Sequence, residues 1–246
     1  MTTEQIVFGL AVFLIAGTVK GLVGLGLPTV TIALTSLVFS LPEAIALIVL
    51  PTIITNMWQA AVGGRFRAIV QRQWPLVLPL VVTLFLTMWL VGQKGPSWAS
   101  LVLAVVLIVY SGLGLLRIRL HVHADLERPL APAIGVVSGF VAGLVGVPVI
   151  PLMPYLQGLD IKPSELVQSL GIVLCATSLT LAASVLNFGL LDGPRAIVSA
   201  LAVVPAMAGM WFGQSIRKRL SVDQFRLAVF WALLLTGLYT FASRLL

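Results

Sequence analysis

The sequence predicts an all-α integral membrane protein of eight hydrophobic segments in two inverted repeats. Three observations carry that expectation. Of the 246 residues, 59% are hydrophobic and only 9% charged. A globular chain carries about 25% charged residues, so no soluble core would hide this apolar surface. Eight runs contain no Asp, Glu, Lys or Arg at all: 21–42, 44–64, 73–93, 95–116, 129–159, 166–191, 196–216 and 227–243. Each reaches or exceeds the roughly 17–25 residues that a bilayer-spanning helix needs. Finally, Gly21-Leu22-Val23-Gly24 recurs 122 residues later as Gly143-Leu144-Val145-Gly146, which divides the chain into corresponding halves.

Backbone polar groups in lipid must be satisfied within the chain, so these runs are expected to be helical. Segment 1 covers about 5–39 and is interrupted by Lys20 and the stretch Gly21 to Pro28. Segment 2, about 42–62, opens on Ser40-Leu41-Pro42-Glu43, which offers a cap, an early proline and an acid in capping-box position. Segments 3 and 4, about 74–93 and 97–116, are joined by Gln93-Lys94-Gly95-Pro96. Segment 5, about 130–157, is broken at Gly143 to Pro148. Segments 6, 7 and 8 cover about 163–187, 193–215 and 222–244. The reading gives a first transmembrane repeat over 1–120, a cytoplasmic connector over 121–129 and a second repeat over 130–246.

Charge sets the topology. If all eight segments cross, the loop Lys and Arg residues divide eight against six between the two sides. If segments 1 and 5 are re-entrant hairpins, Arg65, Arg67, Arg72, Arg117, Arg119, Arg128, Lys162, Arg217, Lys218, Arg219 and Arg226 share one side. Only Lys94, Arg195 and Arg244 then face the other, so the count is eleven against three. Short cytoplasmic loops gather Lys and Arg, so the hairpin model is preferred. One hairpin plus three crossings per half makes the halves upside down relative to each other, a recurring plan of secondary transporters.

The net charge of +7 and pI of about 10.3 would suggest nucleic acid on a soluble domain. Here the basic residues lie between apolar runs, so no nucleic acid is expected. The one cysteine, Cys175, lies inside an apolar run, which excludes a disulfide framework. The start of the chain lacks a basic region and a small-residue cleavage site, so no cleaved signal peptide is expected. His121 and His123, near Asp125 and Glu127, read as a solvated connector rather than a metal site, and no cofactor is expected.

A broken membrane helix frees backbone groups, each costing several kcal/mol unless protein or water satisfies it. The breaks are therefore expected to point inward, towards each other or towards a water-filled cavity. Glycines let a ligand approach the backbone, and a helix opened by Pro28 would present its N-terminus to an anion. The first break offers Gly21, Gly24, Gly26, Pro28 and Thr29; the second offers Gly143, Gly146 and Pro148. The plainer alternative is tight helix packing through small residues. Lys20 is the sharpest single candidate, because a basic residue well inside an apolar stretch usually faces a pathway. Segment 2 adds Thr52, Thr55, Asn56 and Gln59 near one face; segment 6 adds Gln168, Ser169, Thr177 and Ser178. Neutral hydroxyls and amides donate hydrogen bonds to an oxyanion without neutralising it, and they equally serve as interhelical hydrogen bonds.

At these residues the chain resembles the sulfite exporter TauE/SafE family of bacterial inner-membrane permeases. The resemblance is carried by Gly24-Leu25-Gly26-Leu27-Pro28, by Pro42 and Ala44 at the start of the next helix, by Asn56 further along it, and by the repetition at Gly139 to Pro151 and from Pro163. It implies transport of small sulfur oxyanions or organosulfonates, such as sulfite or sulfoacetate, usually outward. The second break departs from the pattern through Pro148, Pro151 and Pro154, which suit an uninterrupted helix poorly. The expected partners are a small anion and the lipid bilayer, with homo-oligomer formation left open. Three further readings stand beside this one: an uptake permease for another small anion, a membrane-embedded enzyme acting on a lipid diphosphate, and a structural subunit. The enzyme would want acids plus Arg or His at the hairpin tips, and neither tip has them.

Overall fold

A computed structural model describes residues 3–24, 26–92, 96–117, 121–216 and 222–245. Lys94, Arg119, Arg217, Lys218 and Arg219 of the charge count, and Leu25 of the first break, lie outside the described residues. The described chain forms ten helices: α1 (Thr3–Val23), α2 (Leu27–Thr35), α3 (Leu41–Ala61), α4 (Phe66–Val91), α5 (Ala99–Leu115), α6 (Ala124–Val145), α7 (Leu152–Gly158), α8 (Pro163–Asn187), α9 (Gly193–Ile216) and α10 (Val222–Leu245). Seven of them are long and apolar enough to cross a membrane; α5, α2 and α7 are shorter. The protein is thus a multi-pass helical membrane protein.

The two interrupted segments account for the step from eight segments to ten helices. At 1.5 Å per residue, α2 extends about 14 Å and α7 about 10 Å, too little to cross the ~30 Å hydrocarbon layer. Two helices also start earlier than their apolar runs. The helix α4 begins at Phe66 rather than near 74, and α6 at Ala124 rather than near 130. For α6 the reason is electrostatic, while α4, with no acid in its first turn, is tied to it through Arg72. Arg72 forks onto Glu127 through Nε at 2.5 Å and Nη2 at 2.6 Å, and Asp125 and Glu127 stand in the first turn of α6, where the helix dipole favours acids.

The helices gather into two compact units. One contains residues 1–51, 93–118 and 189–246, the other 52–92 and 119–188. Each therefore draws helices from both halves of the sequence, and α3 contributes its first half to one unit and its second half to the other.

In the first unit α1 packs along α9. A Cβ on Gly17 would collide with the carbonyl oxygen of Ala206, and one on Gly21 with that of Met210. The helices rise together, so they are parallel. In the second unit α6 packs along α4. Gly139 presses in the same way on the carbonyl of Leu80, while Gly143 meets Thr87 and the carbonyl of Leu84. Gly139 and Gly143 correspond to Gly17 and Gly21 with the sequence offset of 122, and the partners Leu80 and Leu84 correspond to Ala206 and Met210 with an offset of 126. One helix-pair interface is built twice, once in each unit, each time from one helix of either half.

The α6–α7 hairpin of the second unit closes on itself. The amide of Val122, just before α6, donates to the carbonyl of Gly158 at the end of α7 (2.9 Å). The hydroxyl of Tyr155 donates to the carbonyl of Glu127 in the first turn of α6 (2.9 Å). The chain leaves this hairpin beside the point where it entered. In the same unit α8 runs antiparallel to the second half of α3: Gln59 Nε2 donates to the carbonyl of Val167 (3.0 Å), and Asn56 Nδ2 to that of Leu174 (3.0 Å).

Pro51 stands inside α3 and removes the amide that would have bonded the carbonyl of Leu47. In the first unit the hydroxyl of Ser199, on α9, donates to that carbonyl (2.9 Å) and accepts from the amide of Leu50 (3.2 Å). A proline in mid-helix is held by one serine from a neighbouring helix.

Candidate functional site

In the first unit α1 ends on Gly24, whose amide donates to the carbonyl of Lys20 (2.7 Å) with φ at 85°. In the second unit α6 ends on Gly146, whose amide donates to the carbonyl of Ala142 (2.8 Å) with φ at 80°. These positions again differ by 122 residues. Both helices stop in the left-handed conformation, which glycine adopts without a Cβ penalty. The breaks diverge beyond that point. The first re-enters helix after Gly26, itself at φ 109°, and the carbonyl of Gly26 accepts the amide of Val30 (2.8 Å) as α2 begins. The second runs through Val147 to Pro151 outside any helix before α7, as its prolines require.

Lys20 stands in the last turn of α1 and is 2% exposed. Its ammonium is therefore held away from bulk solvent, next to the point where the helix stops. A cation near a helix C-terminus is favoured by the dipole. Beside it Gly24 and Gly26, and in α2 Pro28 and Thr29, are all buried. Pro28 lies in the first turn of α2, where its missing amide costs no helical hydrogen bond. No side chain caps the start of α2.

Thr31, one turn further along α2, was not singled out from the sequence. Its hydroxyl is fully buried and has no hydrogen-bond partner among the described residues. The signal was present in Thr29-Val30-Thr31, two threonines beside the break. A buried, unpartnered hydroxyl costs about 1–3 kcal/mol, which a bound polar ligand would recover. The first unit thus gathers Lys20, Gly21, Gly24, Gly26, Pro28 and Thr29 around one helix interruption, with Gly21 also serving the α1–α9 packing.

The second unit holds the remaining candidates on α3, α6 and α8. Thr52, Asn56 and Gln59 lie along α3 and are buried. Asn56 Nδ2 also approaches Ser178 Oγ at 3.4 Å. Gln168 bridges the end of α3 and the start of α4: its Nε2 donates to the carbonyl of Ala60 (2.9 Å), and its Oε1 accepts from the amide of Arg65 (3.2 Å). Thr177 and Ser178 donate back to the carbonyls of Val173 and Leu174 in their own helix (2.9 and 2.8 Å), so both hydroxyl hydrogens are engaged within α8. Ser169 is buried on α8, and Gly146 and Pro148 are buried at the second break. Gly143 is pressed against α4, as described above. The structure brings Asn56 to Ser178 and Gln59 to the turn of α8 that bears Gln168.

Ion pairs mark the helix starts. In the first unit Arg195 Nη2, in the first turn of α9, pairs with Glu43 Oε1 in the first turn of α3 at 2.8 Å. In the second unit Arg65, at the start of α4, pairs with Glu165 in the first turn of α8. Glu43 and Glu165 are also 122 residues apart.

Helices broken at glycine stops and a buried cation, carried on apolar spans, define a membrane transport protein. The chain matches the family model of the sulfite exporter TauE/SafE over residues 9–240 and belongs to that family. The family is one of membrane transporters for sulfite-type anions. No curated protein and no solved structure matches the chain.

Proposed function

We propose that this protein is a secondary transporter that carries small sulfur oxyanions, sulfite or organosulfonates, outward across the bacterial inner membrane. The buried ammonium of Lys20 carries this reading. A basic residue held this far from water in a membrane span usually marks a substrate pathway. The substrate binds at the α1–α2 break, where Lys20 supplies charge and the uncapped start of α2, with Thr29, supplies hydrogen bonds. Gly24, Gly26 and Pro28 keep this approach to the backbone open, beside Gly21, which seats α1 on α9. In the second unit Thr52, Asn56, Gln59, Gln168, Ser169, Thr177 and Ser178, with the break at Gly143, Gly146 and Pro148, form a neutral polar lining for the same oxyanion class, and the amide and hydroxyl hydrogens now held by helix partners would turn to the anion when it passes. The protein exposes the bound anion alternately to the two faces of the membrane.

The repeats, 1–120 and 130–246, are inverted in this proposal. Several observations support it. The α1–α9 interface recurs as α6–α4; the pair Glu43–Arg195 recurs as Glu165–Arg65 at the other end of α3; and α8 runs antiparallel to α3. The meeting of Val122 with Gly158 supports a hairpin that leaves on the side it entered, as the eleven-to-three charge count requires.

Flux in proteoliposomes tests the function. Sulfite, sulfonates, sulfate and carboxylates are compared with and without proton and sodium gradients. The expected result is flux of sulfite or a sulfonate above that of carboxylates. No oxyanion flux under any gradient would overturn the function. Wild-type flux in Lys20→Ala would overturn the site.

A further inference from the structure

The first unit has a polar recess at the end of α2 opposite to the Lys20 break. Its volume is about 220 Å³, and it is formed by the connector from α2 to α3, the start of α5 and the end of α10. Arg244, Ser100, Tyr239, Thr240, Ser243 and Ser36 supply its polar lining, and no acidic residue lines it. Its floor is apolar, with Leu103 and Leu41 buried.

The donors in this recess are not equivalent. Ser36, Thr240 and Ser243 already donate to carbonyls of their own helices, at 3.0, 2.9 and 3.0 Å. Arg244, Ser100 and Tyr239 form no ion pair or side-chain hydrogen bond among the described residues. The amide of Ser100 likewise has no partner there, whereas those of Ala99, Leu101 and Val102 bond to Pro96 and Trp98. The start of α5 has no side-chain cap, and its second residue, Ser100, lines the recess, so the positive end of the helix dipole lies beside it. A guanidinium and two hydroxyls, from the exposed Arg244 and Tyr239 and the half-buried Ser100, therefore line one small recess at the start of α5.

Depth decides what reaches it. Arg244 is in the last turn of the apolar helix α10, and Ser100 is the second residue of α5. Helix ends of membrane spans lie at the headgroup level, where Tyr and Trp collect. Tyr239 and the neighbouring Trp98 are both exposed.

We propose that this recess is an oxyanion site at headgroup depth, taking a phosphate- or sulfonate-type group on Arg244, Ser100 and the start of α5. The group comes either from an anionic phospholipid or from the solvent. The site is separate from the Lys20 break and does not depend on it.

The test uses full-length Lys20→Ala protein, so that the proposed substrate site does not contribute, with and without Arg244→Gln. Native mass spectrometry measures retention of phosphatidylglycerol against phosphatidylcholine, and calorimetry measures binding of inorganic phosphate and sulfite. The lipid source predicts preferential retention of phosphatidylglycerol that falls about tenfold in Arg244→Gln. The solvent source predicts phosphate or sulfite binding that weakens about tenfold in the same variant. Ser100→Ala repeats both arms if Arg244→Gln does not fold. Binding of neither kind, or binding unchanged in both variants, overturns the proposal.

Discussion

The hydroxyl of Ser199 donates to the carbonyl of Leu47 at 2.9 Å, the acceptor that Pro51 leaves without its helical partner. The same oxygen accepts the amide of Leu50. One side chain therefore satisfies the carbonyl that the proline leaves without a donor and also accepts the amide just before it, in a membrane helix.

Ser199→Ala should lower stability by about 1–3 kcal/mol, the cost of a buried group left unpaired. With Pro51→Ala the loss should shrink, because residue 51 regains an amide for Leu47. A double-mutant cycle on thermal unfolding in detergent measures the coupling. Equal losses in both backgrounds would show that Ser199 does not act on the proline break.

Gly17→Ala and Gly139→Ala should be comparably harmful, by about 1–3 kcal/mol or more, since each drives a Cβ into a carbonyl of the packed helix. Gly9→Ala, with open space around it, should stay within about 0.5 kcal/mol. Expression yield and unfolding temperature of the three variants read this directly. A tolerant Gly139 beside an intolerant Gly17 would break the equivalence of the two interfaces.

Gln168→Ala should release the end of α3. It removes the donor to Ala60 and the acceptor for Arg65 together, at about 1–3 kcal/mol. Protease susceptibility of the 61–66 turn should rise in parallel. Unchanged stability and unchanged cleavage would refute the clamp.

Lys20→Ala should cut oxyanion flux by roughly 10- to 100-fold, the worth of a charged hydrogen bond of about 1.5–3 kcal/mol. The variant should still insert and unfold cooperatively. Lys20→Arg, which keeps the charge, should retain more flux than Lys20→Ala; equal loss in both would mean that charge is not what the site uses.

Local chemistry explains why parts of this fold were legible beforehand. Apolar run lengths located the spans, and Gly21 to Pro28 and Gly143 to Pro148 located the breaks, because glycine and proline act on their own backbone. The partners of those glycines were not legible. That Gly17 meets Ala206 and Gly139 meets Leu80 depends on which helix comes alongside, and both contacts join opposite halves of the chain. Ser199 was invisible for the same reason: it lies 148 residues from the proline it serves. The early starts of α4 and α6 were hidden because polar first turns were read as loop, whereas Arg72 and Glu127 secure each other across the two helices. At the candidate site, Lys20 stood out as a charge among apolar residues. Thr31 did not, since an unpartnered hydroxyl is recognised only once its surroundings are packed.

The claim on which the transport reading turns is that the α6–α7 segment returns to the side it left. Single cysteines at His121, Asp160 and Asp192, in a Cys175→Ser background, report this by labelling with a membrane-impermeant thiol reagent in oriented vesicles. Positions 121 and 160 should label from one face and position 192 from the other. Labelling of position 160 from the face opposite to position 121 would contradict the account, because the fifth segment would then cross the bilayer completely.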